Sequence, residues 1–200
     1  MPRTELLAAL RVTVVTLVLT GIAYPLLTTG AALLLFPGRA RGSLVSDEQG
    51  RVVGSKLIAQ PFASAAYLQP RPSAAGEKGY DATASGGSNL GPTSKALHDR
   101  AAKDVERLRQ ENPDALEPVP FELVAASGSG LDPHLSPEAA LWQAPRIAHA
   151  RGVAPERVRA VIAANVEGRD LWVLGEPRVN VLLVNLALDR LFGRPPLAGR

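Results

Sequence analysis

Apolar residues dominate about the first forty positions of the chain, whereas short apolar runs alternate with polar and turn-forming residues in the remainder. No residue from Val12 to Gly38 is charged. A helix needs roughly 20 apolar residues to cross about 30 Å of hydrocarbon, and lipid requires every backbone polar group to be paired within the segment. The pattern therefore predicts a short tail over residues 1–11 and a transmembrane helix over 12–36, bounded by Val12 and Phe36 and kinked at Pro25.

A cleaved signal peptide is the alternative interpretation, because Arg3 and Arg11 precede the apolar run. Signal peptides carry a shorter apolar core that ends at a small-residue site. Here the apolar run continues beyond Ala31 to Phe36, which favours an uncleaved anchor. Arginines flank both ends of the span, so the charge bias gives no orientation.

The polar remainder predicts a juxtamembrane connector over residues 37–50 and one soluble domain over 51–200. Residues 51–60 have the β-branched composition of a strand with a bulge at Gly54. A Gly/Ser/Pro-rich loop over 70–93 follows, and loops of this length are often functional. An amphipathic helix then runs from Pro92 to Asn112, with Leu97, Ala101, Val105 and Leu108 on one face.

The second half of the domain predicts a strand over residues 119–126 and helices that begin at Ser136 and Pro155. Pro145 should bend the first of these helices and Gly152 should end it. Residues 178–184 read as a strand that leads into a helix over 185–192. The predicted fold class is an α/β or α+β soluble domain anchored by one N-terminal transmembrane helix, with the strand order left open.

The amino-acid composition excludes several classes of function and predicts only the make-up of the core. Aromatic residues make up only 4% of the chain, so the core should consist mainly of Ala, Val and Leu. The net charge of +3 comes without a basic, aromatic-rich patch, which argues against nucleic-acid binding. The absence of cysteine excludes disulfides, thiolate metal sites and cysteine nucleophiles.

Familiar catalytic motifs are missing from the sequence. It contains no GxxxxGK[ST] phosphate loop, no HExxH zinc motif, no GxSxG nucleophile elbow and no SxxK acylation motif. Its three histidines lie far apart, so no metal site is predicted.

Two loop clusters nevertheless contain chemically capable residues. Ser127, Asp132 and His134 are the residue types of a hydrolase, although a triad is usually assembled from distant positions. A rigid turn is the simpler interpretation of this cluster. The small residues from Tyr80 to Gly91 expose backbone N–H groups suited to an anion, but no phosphate-loop lysine follows them, which favours a structural or docking loop.

Four ordered stretches resemble the C subunit of the Kdp-type potassium-transporting P-type ATPase. The first is GSKLIAQ at 54–60. The second starts with RPSAAG at 71–76, leads to Tyr80 and Asp81, and ends with residues 85–92. The third is ASGSGLDPHLSP at 126–137, and the fourth starts with LGEPRVNV at 174–181 and ends with NLALD at 185–189. With the N-terminal span, the resemblance covers nearly the whole chain.

The resemblance implies a non-catalytic accessory subunit of a high-affinity potassium importer, needed for assembly and activity. The implied partners are a channel-like potassium-binding subunit, a P-type catalytic subunit and a small single-span subunit. It also implies a bacterial inner-membrane location with the soluble domain on the outer face, and a role in raising the ATP affinity of the catalytic subunit. This chain has no DKTGT phosphorylation motif. A membrane-anchored extracytoplasmic hydrolase remains the alternative function.

The family motifs also supply candidate residues for partner docking, with no catalytic residue among them. They are Tyr80, Asp81, Ser85, Ser88, Asn89, Gly91, Pro92, Ser127, Gly128, Ser129, Gly130, Asp132, Pro133, His134, Glu176, Pro177, Arg178 and Asn180.

Overall fold

The computed structural model describes residues 3–195, which form two compact units that divide between Leu44 and Val45. The first unit is mainly helical, and the second combines helices with short strands. The fold class predicted from the sequence is therefore confirmed: one long N-terminal apolar helix precedes an α+β domain.

A continuous helix forms most of the first unit. It consists of α1 (Arg3–Val18), a π-helical turn (Leu19–Ala23) and α2 (Tyr24–Leu35). Its 33 residues correspond to about 50 Å of helix, so the helix is long and apolar enough to span a bilayer. The helix begins well before Val12, and Phe36 lies just beyond its last residue.

The π-helical turn precedes Pro25, the residue that the sequence predicts to interrupt the helix. The Tyr24 N–H donates to the Leu19 carbonyl, five residues back, in place of the usual four. Pro25 has no N–H of its own, and Thr28 donates to the carbonyls of Tyr24 and Pro25. Pro25 therefore does not end the helix: a wider π-helical turn precedes it, and the helix continues to Leu35.

The second unit begins with short elements and a long irregular stretch. After α3 (Pro37–Ala40) of the first unit, β1 (Leu44–Ser46) pairs with β2 (Val52–Ser55). From Lys56 to Ser94 the chain forms neither helix nor strand. The predicted strand over 51–60 is thus confirmed only for its first half, while the predicted loop over 70–93 is confirmed.

Helix α4 (Lys95–Glu111) ends the irregular stretch. The Ser94 hydroxyl caps its first turn, and Asn112 ends it as the sequence predicts. Along the predicted apolar face only Leu108 is buried, whereas Leu97, Ala101 and Val105 remain half-exposed. Helix α4 therefore packs on the domain mainly through its C-terminal end.

Four helices and a small sheet complete the domain. They are α5 (Pro137–Trp142), α6 (Ala144–Arg151) and α7 (Pro155–Ala164), followed by the C-terminal α8 (Val181–Phe192). The strands β3 (His134–Leu135), β4 (Val166–Glu167) and β5 (Arg178–Asn180) form an antiparallel sheet in the order β3-β5-β4. The core lies between these helices and the sheet, and Ala, Val and Leu dominate it as predicted.

Local signals placed the start of α5 and the end of α6 correctly. Ser136 caps α5 through the Ala139 N–H, with proline at the first helical position. The predicted bend near Pro145 appears as a break at Gln143 between α5 and α6. Gly152 ends α6 with φ of 63°, a left-handed conformation that glycine adopts without steric cost.

Two predicted strands are wrong in whole or in part. Residues 119–126 contain a 3₁₀ turn (Phe121–Leu123) and no strand, because Pro118 and Pro120 remove backbone donors that a strand would need. The predicted strand over 178–184 stops at Asn180. The Asn180 side chain accepts from the Leu183 N–H and so caps α8, which begins at Val181. The apolar run after Asn180 is therefore helical.

Candidate partner-docking surface

The third stretch, residues 126–137, lies between the first and the fourth. The Leu131 carbonyl accepts from the Ala59 N–H at 3.0 Å, which ties it to the first stretch. The Pro133 carbonyl accepts from the Val181 N–H at 3.0 Å, which ties it to the fourth. The first and fourth stretches are also joined directly, since the Asn180 side-chain amide donates to the Lys56 carbonyl at 2.8 Å.

The second stretch, residues 71–92, is hydrogen-bonded to the third. Ser73 donates from its hydroxyl to the Gly130 carbonyl at 2.6 Å, and Ser85 donates to the Ser129 carbonyl at 3.0 Å. The Gly86 N–H also donates to Ser129, at 2.9 Å. Four stretches that are separate in sequence therefore meet in one region of loops and short strands, which we call the motif face.

Gly130 is required where the second and third stretches touch. Its φ is 66°, and a Cβ there would lie 2.6 Å from the Gly86 carbonyl oxygen and 2.7 Å from the Ala75 nitrogen. Both neighbours are backbone atoms, which cannot rotate away as a side chain can. The close approach of the two loops thus depends on a residue without a side chain.

Ser73 and Tyr80 hold the start of the second stretch in a compact turn. The Ser73 hydroxyl accepts from the N–H groups of Ala75 and Tyr80, at 3.1 and 2.7 Å. The Tyr80 hydroxyl donates to the Arg71 carbonyl at 2.8 Å, and burial raises the pKa of this phenol. Tyr80 has φ of 57°, so these bonds stabilise a conformation that bulky residues rarely adopt.

Asp81 caps the following turn through its carboxylate. It accepts from both the N–H and the hydroxyl of Thr83, at 2.8 and 2.7 Å, and the bond from the hydroxyl is the main reason that its pKa is lowered. A Cβ at Gly76 would lie 2.7 Å from the Asp81 Cβ, so the glycine lets this side chain pack against the backbone.

A polar chain of side chains crosses the motif face from Arg71 to Asn180. Arg71 Nη1 lies 3.3 Å from Asp132 Oδ2, and Asp132 Oδ1 accepts from the His134 N–H at 3.0 Å. His134 Nε2 is 3.5 Å from Asn180 Nδ2. Burial would by itself raise the pKa of Asp132, but the hydrogen bonds from His134 and the charge of Arg71 outweigh it and hold that pKa below its usual value.

Ser127 does not join Asp132 and His134 in a triad. The Ser127 hydroxyl lies 3.5 Å from that of Ser129, whereas Nε2 of His134 lies next to the Asn180 side chain. Ser127 is also buried, with 5% of its surface exposed, so no substrate reaches it in this conformation. The residues that a hydrolase would need stabilise the loop instead.

The remaining candidates lie at the edges of the motif face. Ser85 and Asn89 are exposed, Ser88 is half-buried, and Asn89 has φ of 52°. Gly91 and Pro92 lead into α4, where the Pro92 carbonyl lies 2.8 Å from His98 Nε2. Glu176 is exposed and paired with Arg169, and Pro177 is half-buried beside Arg178.

Comparison with known proteins identifies the origin of these motifs. The family model of KdpC, described as the c chain of the K⁺-transporting ATPase, matches residues 6–190. The chain belongs to the KdpC family. The potassium-transporting ATPase KdpC subunit of Myxococcus xanthus is 68% identical over 95% of this chain and 90% of its own length. Those of Methylobacterium nodulans and Nitratidesulfovibrio vulgaris are 57% and 54% identical over 88% and 90% of this chain and 92% of their own lengths.

Family membership agrees with the resemblance carried by the four stretches, and all four lie within the matched residues. The prediction that the chain is a subunit of a potassium-transporting ATPase is thereby confirmed at the level of the family. Within residues 3–195, no group of three or more His, Asp or Glu side chains is placed to hold a metal ion.

Sequence reasoning assigned no role to the buried polar residues that support the motif face of this KdpC-family chain, although Asn185 belongs to the fourth stretch. Asn185 holds the backbone of Leu68, accepting from its N–H at 2.7 Å and donating to its carbonyl at 2.9 Å. Gln143 makes the same pair of bonds with Gln69, at 2.9 and 3.0 Å. These bonds fix the segment that leads directly into the second stretch.

Arg146 adds a third support to the same segment. Its guanidinium donates to the carbonyls of Ala65 and Tyr67, at 2.7 and 3.1 Å, and to Gln143 Oε1 at 2.7 Å. Burial lowers its pKa to about 10. The available signal was that Gln143, Arg146 and Asn185 each interrupt a short run of apolar residues, since such polar residues are retained in a core only where they are hydrogen-bonded.

Proposed function

We propose that this chain is a non-catalytic accessory subunit of an ATP-driven potassium importer, and that the motif face is the surface that docks on the other subunits. The observation that carries the proposal is the convergence of four separate family motifs on the motif face. Folding alone does not require motif residues to share one face.

The physical character of the motif face suits a docking role. Ser73, Gly130 and Tyr80 fix its loops by hydrogen bonds and close packing, so little conformational entropy is lost when a partner binds. Several of its residues, including Ser85 and Asn89, remain exposed. Small polar residues leave the backbone N–H and C=O groups of these loops accessible to a partner, because they have no long, flexible side chains to cover them.

The family implies which partners would meet this surface. We assign the role of partner to a channel-like potassium-binding subunit and a P-type catalytic subunit, with a small single-span subunit completing the pump. ATP hydrolysis belongs on the P-type subunit, because this chain has neither a DKTGT motif nor a phosphate-loop lysine. The helix over Arg3–Leu35 would anchor the subunit in the bacterial inner membrane, with the soluble unit on the outer face.

Co-expression with the candidate partner subunits tests this proposal. Ser85→Ala, Ser88→Ala and Asn89→Gly are combined to alter the exposed edge of the motif face, and glycine at 89 suits its φ of 52°. Glu77→Ala with Lys78→Ala is the matched control, since both residues are exposed in the same loop but are not among the candidate docking residues. The measurements are recovery of partners on the tagged chain and potassium-stimulated ATP hydrolysis.

We expect the triple variant to recover the partners at least about tenfold less than the wild type and the control variant, with a parallel loss of potassium-stimulated ATP hydrolysis. Equal recovery and activity in all three would refute docking through this edge. If the wild-type chain itself elutes alone, and the pump works without it, the accessory-subunit role is wrong.

A further inference from the structure

The hairpin between β4 and β5 exposes four consecutive apolar side chains, Leu171–Leu174, which we call the hairpin tip. Their exposed fractions are 77% for Leu171, 92% for Trp172, 72% for Val173 and 57% for Leu174. The other tryptophan, Trp142, is 6% exposed and belongs to the core. A contiguous apolar protrusion of this kind marks a site of interaction in a water-exposed domain.

The backbone at the hairpin tip adopts a conformation that its residues disfavour. Leu171 and Trp172 have φ of 50° and 62°. Asp170 and Leu174 exchange two backbone hydrogen bonds of 2.9 Å, which close the loop around them. Tight turns with two positive φ angles favour Asn-Gly, and bulky residues are strained there. Local folding therefore does not explain why Leu and Trp occupy these positions, whereas a binding role does.

Ion pairs surround the base of the hairpin tip. Arg169 pairs with Glu176 at 2.7 Å. Arg178 pairs with Glu167 at 3.1 Å and with Asp170 at 3.2 Å. Two arginines thus face three carboxylates, and no lysine lies between Glu167 and Arg178. An apolar centre within a polar rim is the arrangement found in protein interfaces.

The same charges argue against a lipid surface as the binding partner. Loops that bind bacterial membranes use an excess of lysine and arginine to reach anionic headgroups. The rim here has a slight acidic excess, and its arginines are already paired. The charge pattern therefore favours an apolar recess on a protein.

The hairpin tip adjoins the motif face, because its last residue, Leu174, is the first residue of the fourth stretch. Arg178 pairs with Glu167 of β4 across the hairpin, and Asn180 at the other end of β5 donates to the Lys56 carbonyl. A partner held by the motif face would therefore find the hairpin tip at a fixed position.

We propose that the hairpin tip is an anchor that inserts Leu171 and Trp172 into an apolar recess on another subunit of the pump. This inference rests on the proposed function, since it names a second contact of the same subunit with its partners. Buried tryptophans contribute strongly to binding because they remove a large apolar area from water at a small entropic cost.

The double variant Leu171→Asn with Trp172→Gly tests the anchor without harming the fold. It removes both apolar side chains and supplies the sequence that the turn geometry favours, so the hairpin should be at least as stable as in the wild type. Leu116→Asn is the matched control, because Leu116 is 93% exposed and lies outside the hairpin and the motif stretches. Each full-length chain is co-expressed with the pump subunits, and partner recovery is measured.

We expect the double variant to lose partner recovery by at least about tenfold, while the control retains it. Recovery by the double variant equal to that of the wild type would overturn the anchor even though the accessory role stands. Failure of the wild-type chain to recover any partner would instead refute the proposed function on which the anchor rests.

Tryptophan fluorescence of the full chain separates a protein recess from the bilayer. Trp172 supplies the difference between the spectra of the wild type and Trp172→Phe, since Trp142 is buried in both. We expect acrylamide to quench Trp172 in the chain alone in lipid nanodiscs, and this quenching to disappear in the assembled pump. If lipid alone protects Trp172 from acrylamide, the bilayer is its partner. If acrylamide still quenches Trp172 in the assembled pump, Trp172 is not buried against another subunit. Either result overturns the proposal.

Discussion

Gly130→Ala should destabilise the soluble unit by about 3 kcal/mol, because two separate costs arise at one site. Alanine at φ of 66° costs roughly 1–2 kcal/mol relative to its preferred conformations. The new methyl group would lie 2.6 Å from the Gly86 carbonyl oxygen and 2.7 Å from the Ala75 nitrogen. Relieving such overpacking by moving backbone costs typically about 1–3 kcal/mol.

Gly128→Ala provides the control for this measurement. Gly128 lies in the same loop, has no positive φ, and a Cβ there meets nothing within 4 Å, so its substitution should change stability by less than about 0.5 kcal/mol. Thermal unfolding of the full chain in detergent, followed by the fluorescence of buried Trp142, gives the comparison. For a domain of this size the expected loss lowers Tm by about 6–12 °C.

A Gly130→Ala variant that unfolds at the same temperature as Gly128→Ala would refute the reasoning. It would mean that the second and third stretches can separate without loss of stability, so that their contact does not maintain the motif face. Partner recovery measured on the same two variants would then show whether docking depends on that contact, because Gly128→Ala alters the loop without separating the two stretches.

Three further substitutions test other contacts of the motif face. Asp132→Asn should destabilise the chain at pH 7. Because the pKa of Asp132 is lowered in the folded state, the stability that its carboxylate contributes is complete above about pH 4 and is lost as the pH falls through that lowered pKa. The melting temperatures of variant and wild type should therefore converge in acid, and a difference that stays constant with pH would contradict this. Asn180→Ala removes the α8 cap and the bond to Lys56, and should cost about 1–2 kcal/mol in denaturant unfolding; an unchanged midpoint would contradict both roles. Gln143→Leu leaves the backbone N–H and carbonyl of Gln69 without their side-chain partner and should cost about 2–4 kcal/mol, whereas a neutral effect would show that they find other partners.

Local chemistry in the sequence determined the helical elements of this protein. The uncharged run after Val12 predicted the long apolar helix, because lipid permits little else for such a segment. Ser136, Gly152 and Asn112 marked helix boundaries correctly, since capping depends on residues within one turn of the helix end.

Short apolar runs were less informative because they satisfy both strand and helix patterns. The run after Asn180 is helical, since the Asn180 side chain caps it and its apolar residues Val181, Leu182, Val184 and Leu188 are buried. The strands themselves are two to four residues long. Strand β3 forms where it pairs with β5, a segment much later in the chain, and no local pattern encodes that pairing.

The sequence also identified the family through its four motif stretches, but only the tertiary structure shows that these stretches meet. Their convergence depends on long-range contacts, such as that of Asn180 with Lys56 and that of Gly130 with Gly86. Exposure likewise depends on what packs nearby: Trp142 and Trp172 are the same residue type, yet one is in the core and the other is 92% exposed. Residue type sets the free energy gained on burial, whereas the packing of distant segments decides which side chains are buried.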